Sequence, residues 1–370
     1  MKDGIFNNPC NIIKRFYRFY FIQFLFLIKI LFLFSHLKIT EGRFKNLINH
    51  LSEINLVVLG NGSQNLLSDL FYLEPSEVIV NGISRDSCKF DCELEYEENN
   101  VTLYFNESIK SCDRMFYNLN NIKEIDLSNF DFSEVTSMRY MFYCYNLEKI
   151  NFGNANTSSV KNMIALFYNM SKLTSLDLSS FDTSSVTTME GMFYMLTGLS
   201  SINVSNFNTK NVKSLRLLFY KCEKLTSVDI SNFDTSKVTS MHYLFAYCSI
   251  IKTINLGHLN TESLNTMVCM FYYCYKLDSI DLSSFDTSLV TNMGWMFFHC
   301  YEIKYIIFSE SFKTSNVITM YSMFSHCKSI ISLNLSSFDT TKVTEMCFMF
   351  NTCIKLKYLD ISNFGSFKPD

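Results

Sequence analysis

The sequence predicts an α/β solenoid: a right-handed stack of about nine to ten coils, with one parallel β-sheet and short helical or 3₁₀ turns on the convex side. Three observations carry that prediction. One phrase recurs, most clearly as LDLSSFDTSSVTTMEGMF from Leu176, VDISNFDTSKVTSMHYLF from Val228, IDLSSFDTSLVTNMGWMF from Ile280 and LNLSSFDTTKVTEMCFMF from Leu333. Its period is fixed. The polar residue of the first triplet falls at Asp126, Asn151, Asp177, Asn203, Asp229, Asn255, Asp281, Asn334 and Asp360, with Ile307 in the same register, in steps of 26 apart from one of 25 and one of 27. Within each unit the apolar spacing changes, from alternate positions around the triplet to intervals of three and four in V-T-x-M-x-x-M-F-x-x-C-x-x-L.

The elements follow in chain order. Residues 1–40 hold a basic start and a hydrophobic run: Phe16 to Phe34 read FYRFYFIQFLFLIKILFLF after Lys14 and Arg15. That is the layout of a signal peptide, and the run is also long enough for a signal anchor, although Arg18, Gln23 and Lys29 interrupt it. Ser35 is small but its neighbours Leu33, His36 and Leu37 are not, so cleavage and retention both stay open. Residues 41–111 carry no repeat. INLVVLG, SEVIVNGI and VTLYF read as short strands with turns at Gly60 to Gly62 and at Asn81-Gly82, and DCELEYEENN alternates acids with Leu94 and Tyr96 as an edge strand would. This segment is expected to cap the first coil. Residues 112–370 form the coils. In each, a short strand sends flanking aliphatics inward and Asp or Asn outward, F-D-T-S turns a corner through side-chain hydrogen bonds, and the three-and-four spacing indicates helical turns.

Aligned coils give interior ladders. One is Phe142, Phe167, Phe193, Phe219, Phe245, Phe271, Phe297, Phe324 and Phe350; another is Met138, Met163, Met189, Leu215, Met241, Met267, Met293, Met320 and Met346. Both read as core packing. The outward column alternates Asp with Asn, which keeps carboxylates two coils apart instead of facing one another at about 5 Å. An ancestral two-coil duplication would give the same order. Serine columns flank it, so the sheet face is small and polar. Tyr305, Ile307 and Tyr358 break that pattern and are the candidate partner-binding residues.

Charge and motif content narrow the function. With 32 basic and 35 acidic residues the net charge is -3, which excludes a nucleic-acid footprint. No phosphate loop, no G-x-S-x-G and no carboxylate pair outside the repeat appears, so the chain is read as no enzyme, with no catalytic or cofactor-binding residue and no cofactor. Cys222, Cys248, Cys274, Cys300, Cys327 and Cys353 recur once per coil and read as buried apolar residues. His299-Cys300 and His326-Cys327 in consecutive coils are poor zinc ligands, because neighbouring residues point apart; no metal is expected. Cys88 and Cys92, outside the repeat, are candidates for a disulfide to each other or from one of them to Cys112. Among the sequons, Asn61, Asn100 and Asn106 are the candidate N-glycosylation sites, while Asn203 and Asn334 are expected to be shielded in the strand column.

The units resemble the BspA-like class of leucine-rich repeat, whose hallmark F-D-T-S-x-V-T-x-M-x-x-M-F-x-x-C-x-x-L-x-x-L-D-L-S stands almost verbatim from Phe233 to Ser283 and from Phe285 to Ser309. The resemblance covers residues 112–364. It implies a leucine-rich-repeat-type stack and a secreted or cell-surface protein, membrane-anchored through the N-terminal segment if that is uncleaved, with adhesion or protein binding as its role; the extended sheet face is expected to bind the protein or glycan partner. It carries over no catalytic residue. The alternative is a structural surface-coat protein with no specific ligand. The sequence stops at LDISNFGSFKPD, part-way through a coil, from which aggregation, end-to-end self-association or continuation into further sequence is expected.

Overall fold

The computed structural model describes residues 51–365. The hydrophobic run of residues 16–34 lies outside the described residues. No helix among the described residues is long and apolar enough to cross a membrane. The described residues fall in one compact unit, so the non-repeating cap and the coils belong together.

The cap strands are β1 (Ser52–Leu59), β2 (Gly62–Asn65), β3 (Glu77–Val80), β4 (Ile83–Ser84), β5 (Asp91–Leu94) and β6 (Glu98–Phe105). Alternation decides their faces: in β1, Ser52, Ile54, Leu56 and Val58 are buried while Glu53, Asn55 and Val57 look outward. Asn81 and Gly82, at φ 50° and 83°, make the two-residue turn of the β3–β4 hairpin. DCEL pairs antiparallel with β2, its acids exposed and its Cys92 and Leu94 buried.

The coil strands are β7 (Phe116–Tyr117), β8 (Ile122–Asp126), β9 (Phe142–Tyr143), β10 (Lys149–Asn151), β11 (Ser227–Asp229), β12 (Thr253–Asn255), β13 (Ser279–Asp281), β14 (Tyr305–Ile307), β15 (Ser332–Asn334) and β16 (Tyr358–Asp360). Cap and coils share a six-stranded sheet in the order β10-β8-β1-β6-β3-β4. Strand β1 lies antiparallel to both β6 and β8, so the cap occupies the hydrogen-bonding edge that the first coil would otherwise leave open. Beyond it, strands pair in parallel with the triplets in register, as Asp229 with Asn255 and Asp281 with Ile307.

The result is a β-solenoid of about nine turns. It has a second parallel ladder where helical turns were expected, and no helix occurs among the described residues. Isolated bridges join Ser214 to Ser240, Ser240 to Thr266 and Thr266 to Asn292, one per coil at the residue before the Met ladder. Past it, alternate N–H groups donate to the next coil: Met241 to the Thr266 carbonyl, Tyr243 to Val268, Phe245 to Met270 and Tyr247 to Tyr272, at 2.7–3.2 Å. The intervening N–H groups of Leu244, Ala246 and Cys248 close tight turns three residues back. A helix cannot form here, because Tyr243 and Tyr247 sit at φ 57° and 62°, as do their counterparts along the stack. Left-handed backbone costs about 1–2 kcal/mol at a non-glycine residue, so the inter-coil hydrogen bonds must over-determine it. The apolar spacing of three and four is therefore the spacing of consecutive turns.

The interior ladders stack as rings. From Phe116 to Phe350 consecutive phenylalanines lie 5.2–6.0 Å apart between centroids and within 16° of parallel. The ladder thus starts one rung earlier than Phe142. Each repeat Cys is pinned to it: the thiols of Cys144, Cys222, Cys248, Cys274, Cys300, Cys327 and Cys353 donate to the phenylalanine carbonyl of the preceding coil at 3.0–3.2 Å. At the corner, the buried threonines of F-D-T-S donate through Oγ1 to the next coil, as Thr209 to the Asp234 carbonyl at 3.0 Å and Thr261 to the Asp286 carbonyl at 2.9 Å.

Candidate interaction surfaces

Two long surfaces are open to a partner. The first is the strand face. Its triplet residues each fold back on their own backbone: Oδ1 of Asp126, Asn151, Asp177, Asn203, Asp229, Asn255, Asp281, Asn334 and Asp360 accepts the N–H two residues on at 2.8–3.1 Å. This side-chain turn is what Asp and Asn do better than other residues. Where Asn follows Asp, the amide can also bridge coils. Asn151 Nδ2 donates to Asp126 at 3.1 Å and Asn255 Nδ2 to Asp229 at 2.9 Å.

A second column, the Asp of F-D-T-S, repeats the arrangement. Asp131, Asn156, Asp182, Asn208, Asp234, Asn260, Asp286 and Asp339 accept the N–H two residues on at 2.8–3.3 Å. It alternates in phase with the first, and Lys313 interrupts it in the same coil as Ile307. In neither column do two aspartates occupy adjacent coils. After the interruption the columns resume out of phase, with Asn334 in one and Asp339 in the other, which separation of charge along each column permits and a strict two-coil duplication does not. The backbone N–H of Ser179, with its hydroxyl, holds the Asp177 carboxyl below its ordinary value; at Asp229 the Ser231 hydroxyl does so first, then the Ser231 N–H and Asn255.

Tyr305, Ile307 and Tyr358 lie on this face, 58%, 51% and 70% exposed. Tyr305 and Tyr358 stand in one column with Ser332 between them, which places them two strand spacings, or about 10 Å, apart. Ile307 adjoins them and leaves a gap in the side-chain turns. Nearer the cap, β1, β6, β8 and β10 form a shallow polar hollow lined by Asn55, Asn100, Thr102, Glu124, Asp126 and Lys149. Asn203 and Asn334 are exposed, not shielded, because making the turn leaves the rest of each amide facing solvent. Asn61, Asn100 and Asn106 are exposed as well. Cys88 is bonded to Cys92 in the cap, while Cys112 is a buried free thiol.

The second surface is an edge of stacked aromatics, which lies outside the candidate residues named from the sequence. It consists of the positions beside the phenylalanine ladder. Apart from Tyr305 and Tyr358, every tyrosine in the coils falls here. Tyr168 stacks on Tyr194 at 5.1 Å, Tyr194 on Tyr220 at 4.8 Å, Tyr247 on Tyr273 at 5.0 Å and Tyr275 on Tyr301 at 5.1 Å. Edge-on contacts join these runs, as between Tyr143 and Tyr168 and between Tyr220 and Tyr247. Most of the rings are half-buried, with an apolar body against the coil and an outer part in water. Cations lie over them: Arg139 over Tyr140, Lys221 over Tyr220 and Tyr247, Lys328 over Tyr301. Burial, with neighbouring phenols, pushes Tyr220 up to about 12; for Tyr243, also about 12, the Cys269 thiol adds to burial. The signal was present in the sequence as Y or F following the ladder phenylalanine.

The same edge holds His299 and His326, stacked at 4.2 Å, with Tyr301 hydroxyl 2.5 Å from His299 Nδ1. Burial, His326 and Lys328 press the His299 pKa down to about 4. The partner residues Cys300 and Cys327 point the other way, donating to the carbonyls of Phe271 and Phe297, so the structure does not bring the two His-Cys pairs together. Among the described residues no group of three or more His, Cys, Asp or Glu is arranged to hold a metal ion.

The sequence profile of the family described as "Mycoplasma protein of unknown function, DUF285" matches residues 110–226, 195–309 and 274–367, which together span the coils. The chain belongs to that family. No curated protein and no solved structure matches it.

Proposed function

We propose that this member of the DUF285 family is a surface protein, secreted or anchored through its N-terminal segment, that mediates adhesion by binding a protein partner along its solenoid. The observation that carries the reading is the aromatic edge. Half-exposed tyrosines, a tryptophan at Trp295 and interleaved cations are the residue types that dominate binding hot spots, and here they line up over the length of the stack. The strand face binds with less energy per area, since its side chains are short and spend their acceptors on their own backbone; Tyr305, Ile307 and Tyr358 are its one larger-featured patch. Likeness of the unit to BspA-like leucine-rich repeats supports surface display and a right-handed, leucine-rich-repeat-type winding. The test has two parts. Surface labelling of intact cells must reach the coils, and a screen of the folded chain against immobilised proteins and glycans must give binding that Tyr220→Ser with Tyr247→Ser abolishes. Binding of glycans alone would reassign the partner class.

A second reading, a surface coat of self-associating copies, is favoured by one observation. The coil of β16 exposes Ile354, Leu359 and Ile361 together. Sedimentation decides it: end-to-end association that Ile354→Glu and Ile361→Lys abolish supports a coat, and a monomer at all concentrations removes it.

A further inference from the structure

We propose that the aromatic edge is an oxidative cross-linking site, in which a one-electron oxidant joins tyrosines of adjacent coils into carbon–carbon dityrosine staples. Geometry selects the pairs. Tyr168–Tyr194, Tyr194–Tyr220, Tyr247–Tyr273 and Tyr275–Tyr301 are 4.8–5.1 Å apart between ring centroids and 13–20° from parallel, so the two rings lie side by side across a single coil spacing. Neighbouring contacts at similar distance are turned away. Tyr140–Tyr168 lies at 73° and Tyr220–Tyr243 at 88°, which aims the edge of one ring at the face of the other. The parallel pairs are held in place by the solenoid, since the rows of Phe rings and inter-coil N–H···O bonds beside them fix their spacing. They are also partly exposed, so a soluble oxidant reaches them.

The step balances with an oxidant such as a peroxidase and hydrogen peroxide. Each phenol gives up one electron to the oxidant and its hydroxyl proton to solvent, leaving a phenoxyl radical. Two radicals on adjacent coils pair their electrons in one bond between ortho carbons. The hydrogens on those carbons then move, through solvent, to the oxygens as both rings regain aromaticity. Two oxidant equivalents are reduced per staple, and the protein loses two hydrogens. A phenol is protonated at neutral pH without any help from its surroundings, so the proton leaves together with the electron. A staple closes a loop of one coil and so removes freedom from the unfolded chain, as a disulfide would, on a fold whose repeat cysteines are pinned inside.

The experiment oxidises the purified chain with a peroxidase and hydrogen peroxide at low protein concentration and maps cross-linked peptides by mass spectrometry. The expected products are intramolecular and join Tyr168 to Tyr194, Tyr194 to Tyr220, Tyr247 to Tyr273 and Tyr275 to Tyr301. They form at a rate independent of protein concentration. Tyr194→Phe keeps the stack but removes both links at that position and leaves the other two at unchanged yield. Oxidised protein unfolds at higher temperature than the parent, and Tyr194→Phe lowers that gain. The proposal is overturned if links form equally at the perpendicular pairs, if only links between molecules appear, or if oxidation yields none.

Discussion

The strand face and the aromatic edge are built by one repeat and serve opposite ends. On the strand face the polar side chains act on their own backbone: each Asp or Asn closes a two-residue turn, amides bridge to the carboxylate of the coil before, and charges are kept off adjacent coils. On the aromatic edge the side chains contact the same position in neighbouring coils and keep their outer parts in water. A column that satisfies itself is structural even when exposed, and a column that leaves large amphipathic groups half in water is available for recognition. Exposure alone does not separate the two.

That contrast breaks where a substitution costs the wrong property. The largest expected effect lies beneath both surfaces. Phe245→Ala removes one ring from the stack and should cost about 3–5 kcal/mol in chemical unfolding, because its neighbours at 5.4 and 5.8 Å cannot both close the gap. Next is the corner. Thr235 donates to the Asn260 carbonyl at 2.6 Å, and Thr235→Val leaves that carbonyl without its partner for about 1–3 kcal/mol.

Asn255→Asp replaces an amide donor to Asp229 by a second carboxylate and should cost about 0.5–1 kcal/mol at pH 7, less at high salt. The carboxyls of Asp177 and Asp229 titrate below their ordinary 3.8 in the folded chain, so the stability they add is whole above that value and is lost as pH falls through the folded pKa. The stability these carboxyls add should therefore fall only below about pH 4, beneath a loss that begins near the ordinary histidine value of 6.5 because His299 resists protonation in the folded chain, and the Asn255→Asp penalty should shrink in the acid window, which acid titration of the melting temperature checks. Smallest is Ile307→Asn. It restores the missing side-chain turn and should raise stability by about 0.5 kcal/mol; a loss instead would mean that Ile307 packs in a way its 51% exposure does not show.

Much of this architecture was legible in the chain because repetition reveals registers that one coil hides. The Phe and Met ladders, the buried Cys column and the outward Asp/Asn column all come from aligned copies, and each lies where alignment put it. Misreading began where local spacing has two meanings. Apolar residues three and four apart describe a helix, and they also describe the consecutive turns of Leu244 to Cys248, whose left-handed positions carry Tyr243 and Tyr247 and so show no glycine to betray them. Asn203 is exposed where its column position predicts shielding, because each side chain turns along its own strand instead of covering its neighbour. The aromatic edge is hidden in the sequence for a simpler reason. They wander between neighbouring positions, as Tyr243, Tyr247, Tyr272 and Tyr273 do, and only the three-dimensional stack gathers them into one edge.

The division between a structural strand face and a recognising aromatic edge is tested most directly by one binding comparison. The folded parent, the edge variant Tyr220→Ser/Tyr247→Ser and the strand-face variant Tyr305→Ser/Tyr358→Ser are panned against the same displayed protein library, with melting temperature as the control for folding. The account predicts that the edge variant loses at least tenfold in affinity, about 1.4 kcal/mol, while the strand-face variant binds as the parent does. Loss of binding in the strand-face variant alone, or no binding by the folded parent, would contradict it.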